Sequence, residues 1–345
     1  MVRLSGQRHE PERIRCAPYR LDLGSAAIGT AGHYDAFVVV ESPLPWARDA
    51  SECWPFRELG WTGAYCEGAD GRRWRPVVVT ARGPVGASAS EATPTSVTVW
   101  ERTGPGGGPY RSRRWSTSHH DEVPELIRSL VDGARSSGAS EAPPALHLCT
   151  HGRRDVCCGA RGTTLFDDLA FLDQPAGPPG SGRPVEMWRC SHTGGHRFAP
   201  TGITFPDGLA WAHLTPPLAC ELTARAAAVA EQRPVPAPST DLLAACRGVS
   251  SLPSGPAQVA DRAAWAEFGW GWVDSERRVE VDGPVPAEPG APPVTVRVDG
   301  PLGSGTVRVA VADLVPMPPC GVTGPVDPGA PTEPVWRVVS ELWDR

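Results

Sequence analysis

The sequence predicts an α/β protein in three blocks: an α/β block over residues 1–140, a central α/β unit over 141–232 and an α+β block over 233–345. Three observations lead there. Short β-type apolar runs are parted by Gly- and Pro-rich segments, helix-period stripes come after them, and the middle of the chain reads strand–loop–helix–strand–hairpin–helix. A chain of 345 residues can bury two or three cores of ordinary size, and its 38 Gly and 39 Pro fit many loops.

In the first block, residues 36–41 (AFVVVE), 76–80 and 96–100 have strand composition, and GPGGGP at 104–109 separates them from the helical stretch beyond. Residues 121–135 predict a helix, with Val123, Leu126, Ile127, Leu130, Val131 and Ala134 on one stripe and Pro124 in its first turn. The breaker SSGASEAPP, 136–144, opens the second block. There 145–148 (ALHL) predicts a buried strand ending at Cys149, and 164–172 a helix with Leu165, Phe166, Leu169 and Leu172 inward. A loop at 175–184 leads to the strand 185–188. Residues 203–205 and 209–212 form a hairpin around Pro206-Asp207-Gly208. An alanine-rich helix, 217–231, closes the unit. After the linker QRPVPAPS (232–239), the third block holds a helix at 257–267 and strands at 277–282, 294–299 and 306–311. Trp265, Phe268, Trp270 and Trp272 fit a core better than a binding platform. No internal repeat is present.

The charge is −6 with no run of Lys/Arg longer than two, which excludes a nucleic-acid surface of the usual kind. No apolar leader and no stretch of about 18 apolar residues is present, so the expectation is a cytoplasmic protein without membrane association. In a reducing compartment, ten cysteines lean toward metal or redox chemistry rather than structural disulfides.

Seven Cys/His residues fall in two short stretches, CTHGRRDVCCG (149–159) and WRCSHTGGH (188–196). Cys149 and Cys158 are separated by eight residues, His192 and His196 by three, so two loops could each supply two ligands to a four-coordinate site. Gly194 and Gly195 permit unusual backbone angles and close approach. Gly159 comes directly after Cys158 and just before a helix, whose N–H groups favour thiolate. Three chemistries compete. Zinc accepts Cys2His2, although its first pair is usually two to four residues apart. A Rieske-type cluster wants two Cys and two His, but both loops carry C-x-H instead of C-x2-H. A C-x8-C redox disulfide would leave the histidines idle.

The combined pattern, C-x8-C and then H-x-G-G-H within CTHGRRDVCCG, WRCSHTGGHRFAP and FPDGLAWAHL, resembles the sucrase/ferredoxin-like family. The resemblance is firmest over 145–232 and fainter over FVVVESPLPWARDA and CRGVSSLP. It implies a thioredoxin-like [2Fe–2S] ferredoxin domain. Cys149 and Cys158 would hold the iron that stays ferric, and His192 and His196 the reducible one, because an added electron costs less beside neutral ligands. His151, Cys157, Cys190, Gly194, Gly195 and Arg153 would then lie around the ligands. The departure at Pro200-Thr201 bears on those surroundings and not on ligand number. The resemblance further implies an electron carrier cycling between 2+ and 1+ in redox homeostasis, served by an unidentified reductase or electron acceptor. It also leaves room for a homodimer. A proton taken up by a ligand imidazole on reduction would make the potential fall with rising pH. Arg153, Arg154, Arg161 and Arg197 flank the site and could dock an acidic partner. Asp167-Asp168 fits a helix surface better than glycoside hydrolysis, so no hydrolase is expected.

Overall fold

The computed structural model describes residues 15–80, 95–104, 106–117, 119–133, 137–172, 174–321 and 325–344. It is a mixed α/β structure with one large mixed sheet and a second, antiparallel sheet. The large sheet takes strands from all three sequence blocks. From the first come β1 (Ala36–Glu41), β2 (Cys66–Glu67), β3 (Arg73–Thr80), β4 (Thr95–Arg102) and β5 (Tyr110–Thr117). From the second come β6 (Ala145–Cys149), β7 (Ala176–Gly177), β8 (Val185–Cys190), β9 (Gly202–Phe205) and β10 (Leu209–Trp211), and the third adds β11 (Cys246–Val249). The main order is β11-β10-β9-β6-β8-β3-β1-β4-β5, with β2 on β3 and β7 on β8.

Among the described residues the strands of the two leaves pair where β3 meets β8, antiparallel, at Val79↔Cys190 and Thr80↔Arg189. Period-two alternation then sorts the side chains. Phe37, Val39, Val77 and Val79 of one leaf share a core with Ala145, Cys149, Trp188, Cys190, Ile203 and Phe205 of the other. Trp100 stacks on Phe205 at 4.7 Å between ring centres. Across the same space Arg114 of β5 donates two hydrogen bonds, 2.7 and 2.6 Å, to the Glu186 carboxylate of β8. The opposite faces carry helices. Val38, Val40, Val97 and Val99 pack under α2 (Glu122–Val131). Leu146, Leu148 and Met187 pack with α3 (Thr163–Ala170) and α4 (Pro216–Ala230).

The sequence expects α2 to reach 135; it ends at Val131, and Ala134 lies outside the described residues. Elements not foreseen include α1 (Cys16–Asp22), the Arg-rich β5, α5 (Thr240–Ala245) and β11 beside it. In the third block α6 (Gly255–Phe268) and α7 (Trp270–Val273) pack on the second sheet, β12 (Arg278–Asp282), β13 (Val294–Gly300), β14 (Gly303–Pro316) and β15 (Thr332–Asp344), ordered β12-β13-β14-β15. Trp265, Trp270 and Trp272 are buried there, which bears out a core role. Among the described residues no helix is long and apolar enough to cross a membrane.

Candidate metal centre

The junction of the two leaves positions the cysteine loops. Parallel pairing of β6 and β8 sets Cys149 opposite Cys190 at the strand ends. Ser191, one residue on, fastens β8 to β3 through its amide on the Val78 carbonyl, 2.8 Å, and the Val78 amide on its Oγ, 3.1 Å. Chain leaving Cys149 returns through Cys158 into a π-turn, Cys158–Gly162, and then α3. That turn sits against the strand end: a Cβ at Gly162 would lie 1.9 Å from the Cys149 carbonyl oxygen, so only glycine lets the second cysteine approach the first.

Cys149, Cys158 and His192 converge. One ligand atom from each lies within 4.8 Å of the others, and His192 Nδ1 is 3.8 Å from both sulfurs. Both thiols are buried at 0% exposure, whereas His192 and His196 are half-buried. The buried sulfurs divide one proton. A hydrogen bond from Cys158 holds the Cys149 thiol well below its ordinary range against the penalty of burial, with His192 adding to the effect. The same hydrogen bond, together with burial, pushes the Cys158 thiol up. A thiolate with its hydrogen-bonding partner and an adjacent imidazole is a ready metal-ligand set.

His196 stands at one remove. Its ring centre is 6.1 Å from that of His192, and its Nδ1 lies 3.1 Å from both Cys16 Sγ and Asp155 Oδ2. Asp155 also accepts from the amides of Cys157 (2.8 Å) and Cys158 (3.3 Å). Burial alone would raise its carboxyl, but the hydrogen bond to His196 and those two amides hold it below the ordinary value.

The residues expected around the ligands do distinct things. His151 is buried; its Nε2 donates to the Ala47 carbonyl at 2.7 Å, and its Nδ1 accepts from the His192 amide at 3.2 Å. Burial lowers its pKa, which keeps the ring neutral and able to accept. It is therefore a positioning residue for His192. Cys190 is a fully buried thiol raised by desolvation. The Cys157 sulfur lies 3.2 Å from that of Cys320. Arg153 donates to the Trp46 carbonyl, at 3.5 Å. Thr201, at the point of departure from the family pattern, is buried with its Oγ1 3.4 Å from that of Thr193.

Sequence reasoning missed four residues here. Arg75 donates to the His192 carbonyl at 2.5 Å. Arg247, buried in the CRGVSSLP stretch, donates to the Gly194 carbonyl (3.0 Å) and to the Thr30 carbonyl (2.6 Å), and so holds the HTGGH loop from behind. Asp155 and Cys16 were missed as well. Only the family-like wording around Arg247 signalled any of them. Outside His192 and Gly194 opens a cavity of about 360 Å³ lined in part by Tyr34, Arg48, Arg75 and Arg154.

A family model described as sucrase/ferredoxin-like matches residues 75–233. That span includes Cys149, Cys158, His192 and His196 but neither Cys16 nor Arg247. No curated protein and no solved structure matches the chain.

Proposed function

The chain belongs, over residues 75–233, to the sucrase/ferredoxin-like family, and on that premise we propose that it is an electron-transfer protein carrying a [2Fe–2S] cluster. The observation that carries this reading is the convergence of two buried cysteines with His192 at the meeting point of the sheet leaves. Cys149 and Cys158 would hold one iron, His192 and His196 the other. The donors suit the group: soft sulfur on the buried side and imidazole on the side open to solvent. Bound, the cluster supplies one-electron chemistry between 2+ and 1+, at a potential raised by neutral ligands. The chain's own part is to exclude water from the sulfurs, to fix His192 through His151 and Arg75, and to fix the loop through Arg247. His196 needs a change of ring orientation away from Asp155 to join the set.

We assign residues 141–232 to a thioredoxin-like unit flanked by the two other blocks. Support comes from β6 and β8 parallel around α3, then the β9–β10 hairpin placed antiparallel beside β6 and closed by α4. A cytoplasmic role in redox homeostasis belongs to the same reading. The arginine-bordered cavity outside His192 is where an acidic redox partner would approach.

One observation favours a second reading. His192 Nδ1 at 3.8 Å from both sulfurs suits ligands of a single ion, since a tetrahedral zinc with Zn–S of about 2.3 Å and Zn–N of about 2.0 Å keeps its ligand atoms roughly 3.5–3.8 Å apart. Burial of both sulfurs argues against a thiol–disulfide oxidoreductase, which needs an accessible thiolate. Iron and acid-labile sulfide analysis separates the readings. Two irons and two sulfides per chain, a red-brown colour and a one-electron paramagnetic signal on reduction are expected, all lost in Cys158→Ala and retained in His151→Ala. Protein without iron or sulfide after anaerobic reconstitution would refute the cluster.

A further inference from the structure

Three cysteines that this reading leaves unused meet at one place. The sulfurs of Cys16, Cys157 and Cys320 and a carboxylate oxygen of Asp155 all lie within 4.8 Å of one another. They arrive from far apart in the chain: the start of α1, the loop after β6 and the turn after β14. Cys16 and Cys157 are buried and Cys320 partly so. Thiols acting only as small apolar groups would explain their place in the inter-leaf core. They would not explain why the Asp155 carboxylate, held by the Cys157 and Cys158 amides and by His196, is brought to the same point as a fourth donor.

We propose that Cys16, Cys157, Cys320 and Asp155 form a second metal site that binds zinc. Four donors already within 4.8 Å need close by only about 1 Å to reach tetrahedral spacing, with Zn–S of about 2.3 Å and Zn–O of about 2.0–2.2 Å. Three sulfurs select a thiophilic ion over magnesium or calcium. Four protein donors leave no open position, so the site is structural, tying α1 and the turn after β14 to the loop that delivers Cys158. This site stands on its own residues and does not depend on what Cys149 and Cys158 hold.

The test is element-specific. Full-length protein is reconstituted with zinc alone under reducing conditions, then analysed for metal content and by zinc K-edge absorption. The expected result is one zinc per chain with three sulfur neighbours in the Cys149→Ser/Cys158→Ser double variant, lost when either Cys320→Ser or Cys16→Ser is added to it. Cys320 is partly exposed and outside the Cys149–Cys158–His192 group, so Cys320→Ser leaves every residue of that group unchanged. Zinc that persists in Cys320→Ser and Cys16→Ser but leaves with Cys149 and Cys158 overturns the proposal. So does zinc-free protein in which peptide mapping finds Cys157 disulfide-bonded to Cys320. Iron content of the same samples reports on the cluster separately.

Discussion

Gly194 and Gly195 both adopt left-handed angles, φ +85° and +70°, yet they should respond to alanine very differently. A Cβ at Gly194 meets nothing within 4 Å, so Gly194→Ala carries only left-handed strain of about 1–2 kcal/mol. A Cβ at Gly195 would sit 2.4 Å from Cζ of Arg247. That guanidinium is fully buried and held by Thr30 and the Gly194 carbonyl, so it cannot swing into solvent. Gly195→Ala therefore adds at least one lost charged hydrogen bond, about 1.5–3 kcal/mol, to the same strain. The total is about 2.5–5 kcal/mol. For a chain of 345 residues unfolding entropy makes each kcal/mol about 1.4 °C of Tm. Thermal unfolding should thus fall by about 3.5–7 °C for Gly195→Ala and about 1.5–3 °C for Gly194→Ala. Metal content of both variants then shows whether the histidine loop has moved. Equal Tm losses in the two variants would refute the view that Arg247 props this loop.

Three further outcomes rest on named contacts. His151→Ala leaves the Ala47 carbonyl and the His192 amide without their partner, so denaturant unfolding should show a loss of about 1–3 kcal/mol, while an unchanged midpoint would remove His151 from its positioning role. Glu186→Ala strands Arg114 between the leaves and should cost about 3 kcal/mol, whereas Glu280→Ala on the exposed second sheet should cost under about 1 kcal/mol, both read from urea midpoints. Burial, reinforced by Arg114, lowers the pKa of His147 from 6.5 to about 3. Between those values the unfolded chain binds a proton that the folded chain refuses, so stability is complete above pH 6.5 and falls on acidification by up to about 1.4 kcal/mol per pH unit. His147→Gln should flatten that slope by as much as one proton between pH 6 and 4, and an unchanged slope would mean the ring titrates freely.

The parts of the fold that were legible are those whose signal is local. AFVVVE and ALHLC are buried on both faces and read as apolar runs, and the α2 stripe repeats at helical spacing. The strand β5, YRSRRWST, was not legible, because its buried positions, Tyr110 and Trp115, are five apart and arginines fill the interval. One of those arginines, Arg114, crosses the inter-leaf core to Glu186, a tertiary pairing that leaves no periodic trace. The strand β15 escaped for the opposite reason: most of its residues are exposed or half-buried, so hydrophobicity does not mark it. At the candidate centre the two C/H loops stood out by residue type alone. Arg247, Cys16 and Asp155 did not, because each belongs to the site only through folding.

The geometry of the sheet explains why the centre needs residues from such distances. The two leaves are joined by a two-pair ladder between β3 and β8, and the loops leaving β6 and β8 emerge at that point. Among the described residues no strand pairs with the HTGGH loop, so its carbonyls find other donors. Arg75 comes from the first leaf and takes the His192 carbonyl; Arg247 comes from the far edge strand β11 and takes that of Gly194. Between them, the spacing of the two histidines is set by residues 117 and 53 positions away from the carbonyls they hold. The H-x3-H motif alone therefore does not fix ligand geometry, and a fragment limited to 141–232 would keep all four candidate ligands while losing both of these anchors.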